Sequence, residues 1–154
     1  MMIVAWGRHI ALAAAFTAGT SAWVAAEPVR LITPEEASLP PANLSGGQTR
    51  NLTRGPGIDA VAPPAIGLSG PFRLAVRFKP RNGVPIDPGS VRLTYRREPA
   101  VDLTPRVKAF VSAEGIEAPS VLVPPGRHVV EIEATDKEGR IGRGQITLNV
   151  QGTN

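Results

Sequence analysis

Few side chains in this chain are equipped for chemistry, and their spacing decides what chemistry remains. Past residue 26 there is one histidine, His128, and neither cysteine nor methionine. Thiolate nucleophiles, sulfur metal ligands, disulfide staples and a lipid-anchored cysteine all fall away with those absences. His128 has the ring of a general base or a metal ligand. A working base needs a hydroxyl or carboxylate within reach, and its neighbours Gly126, Arg127, Val129 and Val130 supply none. In phase with Val130 and Ile132, His128 reads as the polar start of a core-facing strand, satisfied by one hydrogen bond.

Glu131 and Glu133 have the spacing of a glycosidase acid pair, about 7 Å apart on one strand face. An open strand face offers neither the cleft nor the burial that raises one acid above the other. Ser69 lies in Gly67-Leu68-Ser69-Gly70, which is not the Gly-x-Ser-x-Gly of a nucleophile elbow. Asp59, Asp87, Asp102 and Asp136 fall in separate turns or strand ends, whereas calcium gathers its oxygens in one loop. Asp136 is the opener of a hairpin turn. Gly139 to Gly144 reads Gly-Arg-Ile-Gly-Arg-Gly, without the Lys, the Ser/Thr or the helix of a phosphate loop, and is expected as a flexible strand opening or bulge. The expectation is a protein with no catalytic set, no metal site and no cofactor.

Charge is the remaining resource. The chain after residue 26 keeps 16 of the 17 basic residues and all 13 acidic ones, a net +3 (16 − 13). Arg73, Arg77 and Lys79 alternate along one stretch and form a basic row for an anionic polymer, a lipid headgroup or an envelope protein. The competing role is a solvated face kept charged against strand aggregation. Arg92 and Arg96 are expected opposite Glu131 and Glu133, as cross-strand pairs contributing about 0.2–1 kcal/mol each. No aromatic side chains interleave with the basic ones, so nucleic acid is not an expected partner.

The elements that must carry these side chains are strands. Phe72, Leu74, Val76 and Phe78 alternate with Arg73, Ala75, Arg77 and Lys79, and a period of two puts the apolar set on one face. Val91, Leu93 and Tyr95 alternate with Arg92, Thr94 and Arg96. His128, Val130, Ile132 and Ala134 alternate with Val129, Glu131 and Glu133. Shorter strands are predicted at 58–61, 120–123 and 144–150, and a weaker one at 102–110 through Leu103, Val107 and Phe110. Turns lie at Pro80-Arg81-Asn82-Gly83, Asp87-Pro88-Gly89 and Asp136-Lys137-Glu138-Gly139. About seven short strands without a helix predict an all-β, immunoglobulin-like β-sandwich over 56–151, followed by a tail at 152–154.

Two segments precede it. Residues 1–26 place Arg8 before an apolar run from Ile10 to Val24 and end in Val24-Ala25-Ala26, the layout of a cleavable signal peptide, with a retained N-terminal anchor as the competing reading. No later stretch is apolar enough to span a membrane. Residues 27–55, with Pro28, Pro34, Pro40, Pro41, Gly46 and Gly47, are expected as a flexible linker with one helical turn at Thr33-Pro34-Glu35-Glu36.

The run Gly83-Val84-Pro85-Ile86-Asp87-Pro88-Gly89-Ser90-Val91, then Pro124-Pro125-Gly126-Arg127-His128 and Thr135-Asp136-Lys137-Glu138-Gly139-Arg140, resembles bacterial secreted immunoglobulin-like domains over roughly 56–150. The resemblance implies an exported, non-catalytic binding or structural module of the cell envelope, periplasmic or extracellular. Residues 124–150 are also similar to the end of periplasmic copper-resistance domains. Those use a histidine at the mature N-terminus and another late in the domain, where this chain has Glu27 and Glu138-Gly139-Arg140. A copper carrier, or a small hydrolase on the same scaffold, is therefore the alternative.

Overall fold

The computed structural model describes residues 27–43, 54–63 and 67–152. The signal segment expected at 1–26 lies outside the described residues, as do 44–53 and 64–66 and the last two positions. Eight strands are found among the described residues: β1 (Val29–Arg30), β2 (Gly57–Ala62), β3 (Phe72–Lys79), β4 (Arg92–Tyr95), β5 (Val101–Asp102), β6 (Gly115–Leu122), β7 (Gly126–Thr135) and β8 (Ile141–Val150). They form two four-stranded sheets, ordered β1-β6-β3-β2 and β5-β4-β7-β8, and only the β1–β6 pairing is parallel. The order β2-β3-β6 facing β5-β4-β7-β8 is that of an immunoglobulin sandwich, with β1 in the place of the fourth strand of the first sheet.

The expected alternation produces the core. Leu74, Val76 and Phe78 from β3 meet Leu93 and Tyr95 from β4, Val130, Ile132 and Ala134 from β7, and Ile146 and Leu148 from β8 in one buried cluster. Arg73, Arg77 and Lys79 are exposed on the opposite face of β3. Tyr95 stands on the strand that in antibody domains carries a buried tryptophan.

Four expectations need correction. The first half of the expected linker is packed: β1 pairs with β6, and Leu31 and Ile32, at 0% and 1% exposure, belong to the core. A proline-rich composition hid one adjacent apolar pair. The predicted helical turn is there, as α1 (Pro34–Ala37), with Thr33 and Glu36 forming a reciprocal capping box. The weak strand at 102–110 is instead the two-residue β5 followed by α2 (Thr104–Val107) and a 3-10 turn. Leu103, Val107 and Phe110 are spaced four and three apart, a helical period, and the Asp102 carboxylate accepts from the Thr104 backbone N–H at 2.9 Å.

The strand expected at 120–123 begins five residues earlier, at Gly115. Pro119 is tolerated because it lies where β6 carries one residue more than β3, Phe72 facing Val121 but Leu74 facing Ala118. The glycine run at 139–144 is not a loose opening either: β8 pairs with β7 without interruption from Ile141 to Val150. Its glycines let two sheet edges meet. A Cβ at Gly142 would stand 2.1 Å from the Pro56 carbonyl oxygen, and one at Gly144 would stand 2.8 Å from Ile58 Cγ2.

Candidate functional site

The basic row is set by β3, and its neighbours carry acids to meet it. The Arg73 guanidinium donates from Nε to Glu117 Oε1 at 2.5 Å, and Lys79 is ion-paired with Asp59. That hydrogen bond from Arg73 holds the Glu117 carboxyl below its usual range. Glu117 carries no sequence signal as the partner of Arg73, because the alternation at the start of β6 is limited to Ile116 and Ala118 before Pro119. Arg77 has no ion pair among the described residues. Three cations share two acids on this face: Asp59, the match the sequence offered, and Glu117, whose carboxyl the Arg77 charge also helps to lower.

The second sheet follows its predicted register in part. Arg92 stands opposite Glu133 and Thr94 opposite Glu131. Arg96 binds Glu131 at 3.0 Å as expected, but Glu133 takes Arg143 of β8 at 2.7 Å instead of Arg92. Arg92 faces Asp102, whose carboxyl is lowered first by the Thr104 side chain and backbone and then by the Arg92 charge. These groups line a shallow recess of about 330 Å³. Glu131 and Glu133 each hold an arginine, and the Asp102 carboxylate accepts from the Thr104 N–H. A second recess, about 280 Å³, lies between Arg30, Ile32, Leu122, Val123 and Val150, with no cluster of titratable groups. Among the described residues no group of three or more His, Cys, Asp or Glu is placed to hold a metal.

The densest polar constellation is internal. His128 is 1% exposed and Tyr95 0%. The Pro124 carbonyl, 2.8 Å from His128 Nε2, only accepts, so Nε2 carries the proton. Nδ1 then accepts from the Tyr95 hydroxyl at 2.8 Å, and the phenol oxygen accepts from Arg97 Nε at 2.7 Å. Arg97 donates further to the Leu39 carbonyl at 3.0 Å and lies 5.1 Å above the Tyr95 ring. Burial pushes the His128 pKa down, the Arg97 charge adds to that, and the Pro124 and Pro125 carbonyls oppose it. Both ring nitrogens are thus occupied by the fold, which leaves no lone pair for a metal.

No family model, curated protein or solved structure matches this chain.

Asp136 is a further buried polar side chain, at 2% exposure. One oxygen accepts from the Glu138 and Arg140 backbone N–H groups at 3.0 and 2.9 Å, the other from Arg140 Nε at 2.7 Å. Burial works against its ionisation, yet the bonds from Arg140 and Glu138 prevail and hold the carboxyl below its usual range. The role predicted for Asp136, opening the β7–β8 hairpin, is the role it has. Asp136→Ala removes all three acceptor bonds at once and is expected to lower the thermal midpoint by about 5–10 °C, measured by circular dichroism. Asp136→Asn, which keeps one acceptor oxygen, should lose less. Equal midpoints for both variants and the unaltered chain would refute that role.

Proposed function

We propose that this chain is an exported, non-catalytic immunoglobulin-like module of the bacterial cell envelope, acting in binding or as a structural unit. One observation carries the reading. The side chains with the most chemical potential, His128, Tyr95 and Asp136, are turned inward and consumed by hydrogen bonds of the fold. Glu131 and Glu133 are neutralised on the surface by Arg96 and Arg143. Such a molecule offers partners a rigid, charge-patterned surface and offers substrates no reactive centre. The signal-like layout of 1–26 supports the periplasm or the cell exterior as its place of work. An envelope protein or an anionic polymer is the fitting partner for the Arg73, Arg77 and Lys79 face, with Arg77 its cation without an ion pair among the described residues.

The test is to express the full chain in a bacterium with two membranes. The protein in the periplasmic fraction is expected to begin at Glu27, and its thermal midpoint is expected to stay within about one degree in stoichiometric Cu(II) or Zn(II). Full-length protein confined to the cytosol would reject export. A rise of several degrees with either metal would reject the non-metal reading in favour of the copper-carrier alternative.

A further inference from the structure

Segment 27–43 is held on the sandwich at two places by two arginines. Near its start, Arg106 of α2 grips the Glu36 carboxylate with two bonds of 2.6 and 2.7 Å and donates to the Leu31 carbonyl at 2.7 Å. Near its end, Leu39 to Ala42 runs along residues 96–98. The Glu98 N–H donates to the Pro40 carbonyl at 2.9 Å, the Ala42 N–H to the Arg96 carbonyl at 3.4 Å, and Arg97 to the Leu39 carbonyl. Only this second attachment is joined to a histidine, through Arg97, Tyr95 and His128 in line.

The protons in that line have one arrangement. Each of the three bonds has a donor and an acceptor, and no buried polar side-chain atom among the described residues lacks a partner. A proton added to His128 can go only to Nδ1, the atom that accepts from Tyr95. The new N–H then points at the phenol oxygen, which must turn its own hydrogen away. The groups facing it are donors: the imidazolium on one side and the Arg97 guanidinium on the other. Two cations would share one buried oxygen while the phenol hydrogen loses its acceptor, and a buried unsatisfied donor beside paired like charges is costly. Arg97, only partly buried, is the member able to reach water. Among the described residues the one charge acting on His128 is that of Arg97. Tyr95 faces it from β4, Arg97 from the 96–100 loop, backbone carbonyls from residues 124–125, and apolar Leu148 is its register partner on β8.

We propose that Arg97, Tyr95 and His128 form a proton-operated latch: when His128 takes up a proton, Arg97 lets go of Leu39, and residues 39–42 come away from 96–98 while the sandwich stays folded. The sign follows from linkage. An unconstrained histidine takes up its proton near about pH 6.5. The latched ring, whose pKa burial lowers, takes it only at lower pH. The latch is therefore at full strength above the ordinary value and weakens as pH falls through the lowered one. Arg106 and Glu36, whose carboxyl the Arg106 bonds hold below its usual range, stay ionised there and keep the start of the segment in place.

Hydrogen exchange of the full chain at about pH 7 and about pH 5, corrected for intrinsic rates, reads this directly. Protection at the Ala42 and Glu98 amides is expected to fall by about tenfold at the lower pH, while Leu31 and the β7–β8 amides keep theirs. In Arg97→Met the Ala42 and Glu98 amides should already exchange quickly at neutral pH, and in His128→Gln the pH step should vanish. Three results would overturn the latch: no change at Ala42 and Glu98, an undiminished pH step in His128→Gln, or simultaneous loss of protection across β7 and β8. Should His128→Gln fail to fold, the His128 ring titration by NMR decides. Its pKa should be higher in Arg97→Met than in the unaltered chain, and an unchanged pKa would overturn the proposal.

Discussion

Replacing Leu31 and Ile32 together by alanine is expected to destabilise the domain by about 4–10 kcal/mol, the range of two large-to-small changes at fully buried positions if they were independent. A domain of this size commands about 5–15 kcal/mol in total, so the double variant should be largely unfolded in mild urea. Both side chains are at 0–1% exposure within the main cluster, and the segment carrying them is pinned by Arg106 and Arg97. Because the two positions adjoin, their losses need not add, and each single variant should cost about 2–5 kcal/mol. The measurement is the urea midpoint at constant slope. A loss below about 0.5 kcal/mol, the size of an ordinary surface change, would return 27–43 to the role of spacer.

The same two residues show where sequence reasoning reached its limit. β3 and β7 were legible because their core-facing side chains repeat every second residue over seven residues, Phe72 to Phe78 and His128 to Ala134, which a strand with one buried face explains. Tyr95 and His128 were legible as core-facing for the same reason. Leu31 and Ile32 were not, since two apolar neighbours among prolines and acids carry no period. What brings them there is the parallel pairing of the preceding Val29 and Arg30 with Val121 and Leu122, 92 positions on, and nothing local announces it. The Arg73–Glu117 pair was hidden likewise: the row on β3 could be read, but its partner depended on where β6 begins. The line from Arg97 to His128 joins three elements, and only two of its members lie within three residues of each other. Asp136 was readable as a turn residue because its carboxylate bonds two and four residues ahead, inside the range that sequence samples.

Gly115 is where register, charge and stability meet, and Gly115→Ala is expected to lower the thermal midpoint by about 10 °C or more, placing it among severe single changes. Two causes act together. The residue has φ of +155°, which an L side chain rarely adopts. A Cβ there would stand 2.0 Å from the Val76 carbonyl oxygen and 3.2 Å from the Arg77 Cα, both parts of the β3 backbone. No side-chain rotation relieves that clash, so β3 and β6 must part where Val76 pairs with Ile116 and Arg77 with Gly115. Gly139→Ala separates the causes: its φ is +79° and nothing lies within 4 Å of the added atom, so it should show only the backbone cost of about 1–2 kcal/mol. If the two variants melt together, close approach at Gly115 contributes nothing. If Gly115→Ala melts far lower, Gly115 is what permits β6 to start early enough for Glu117 to reach Arg73. The surface charge pattern is then a consequence of backbone packing one strand away.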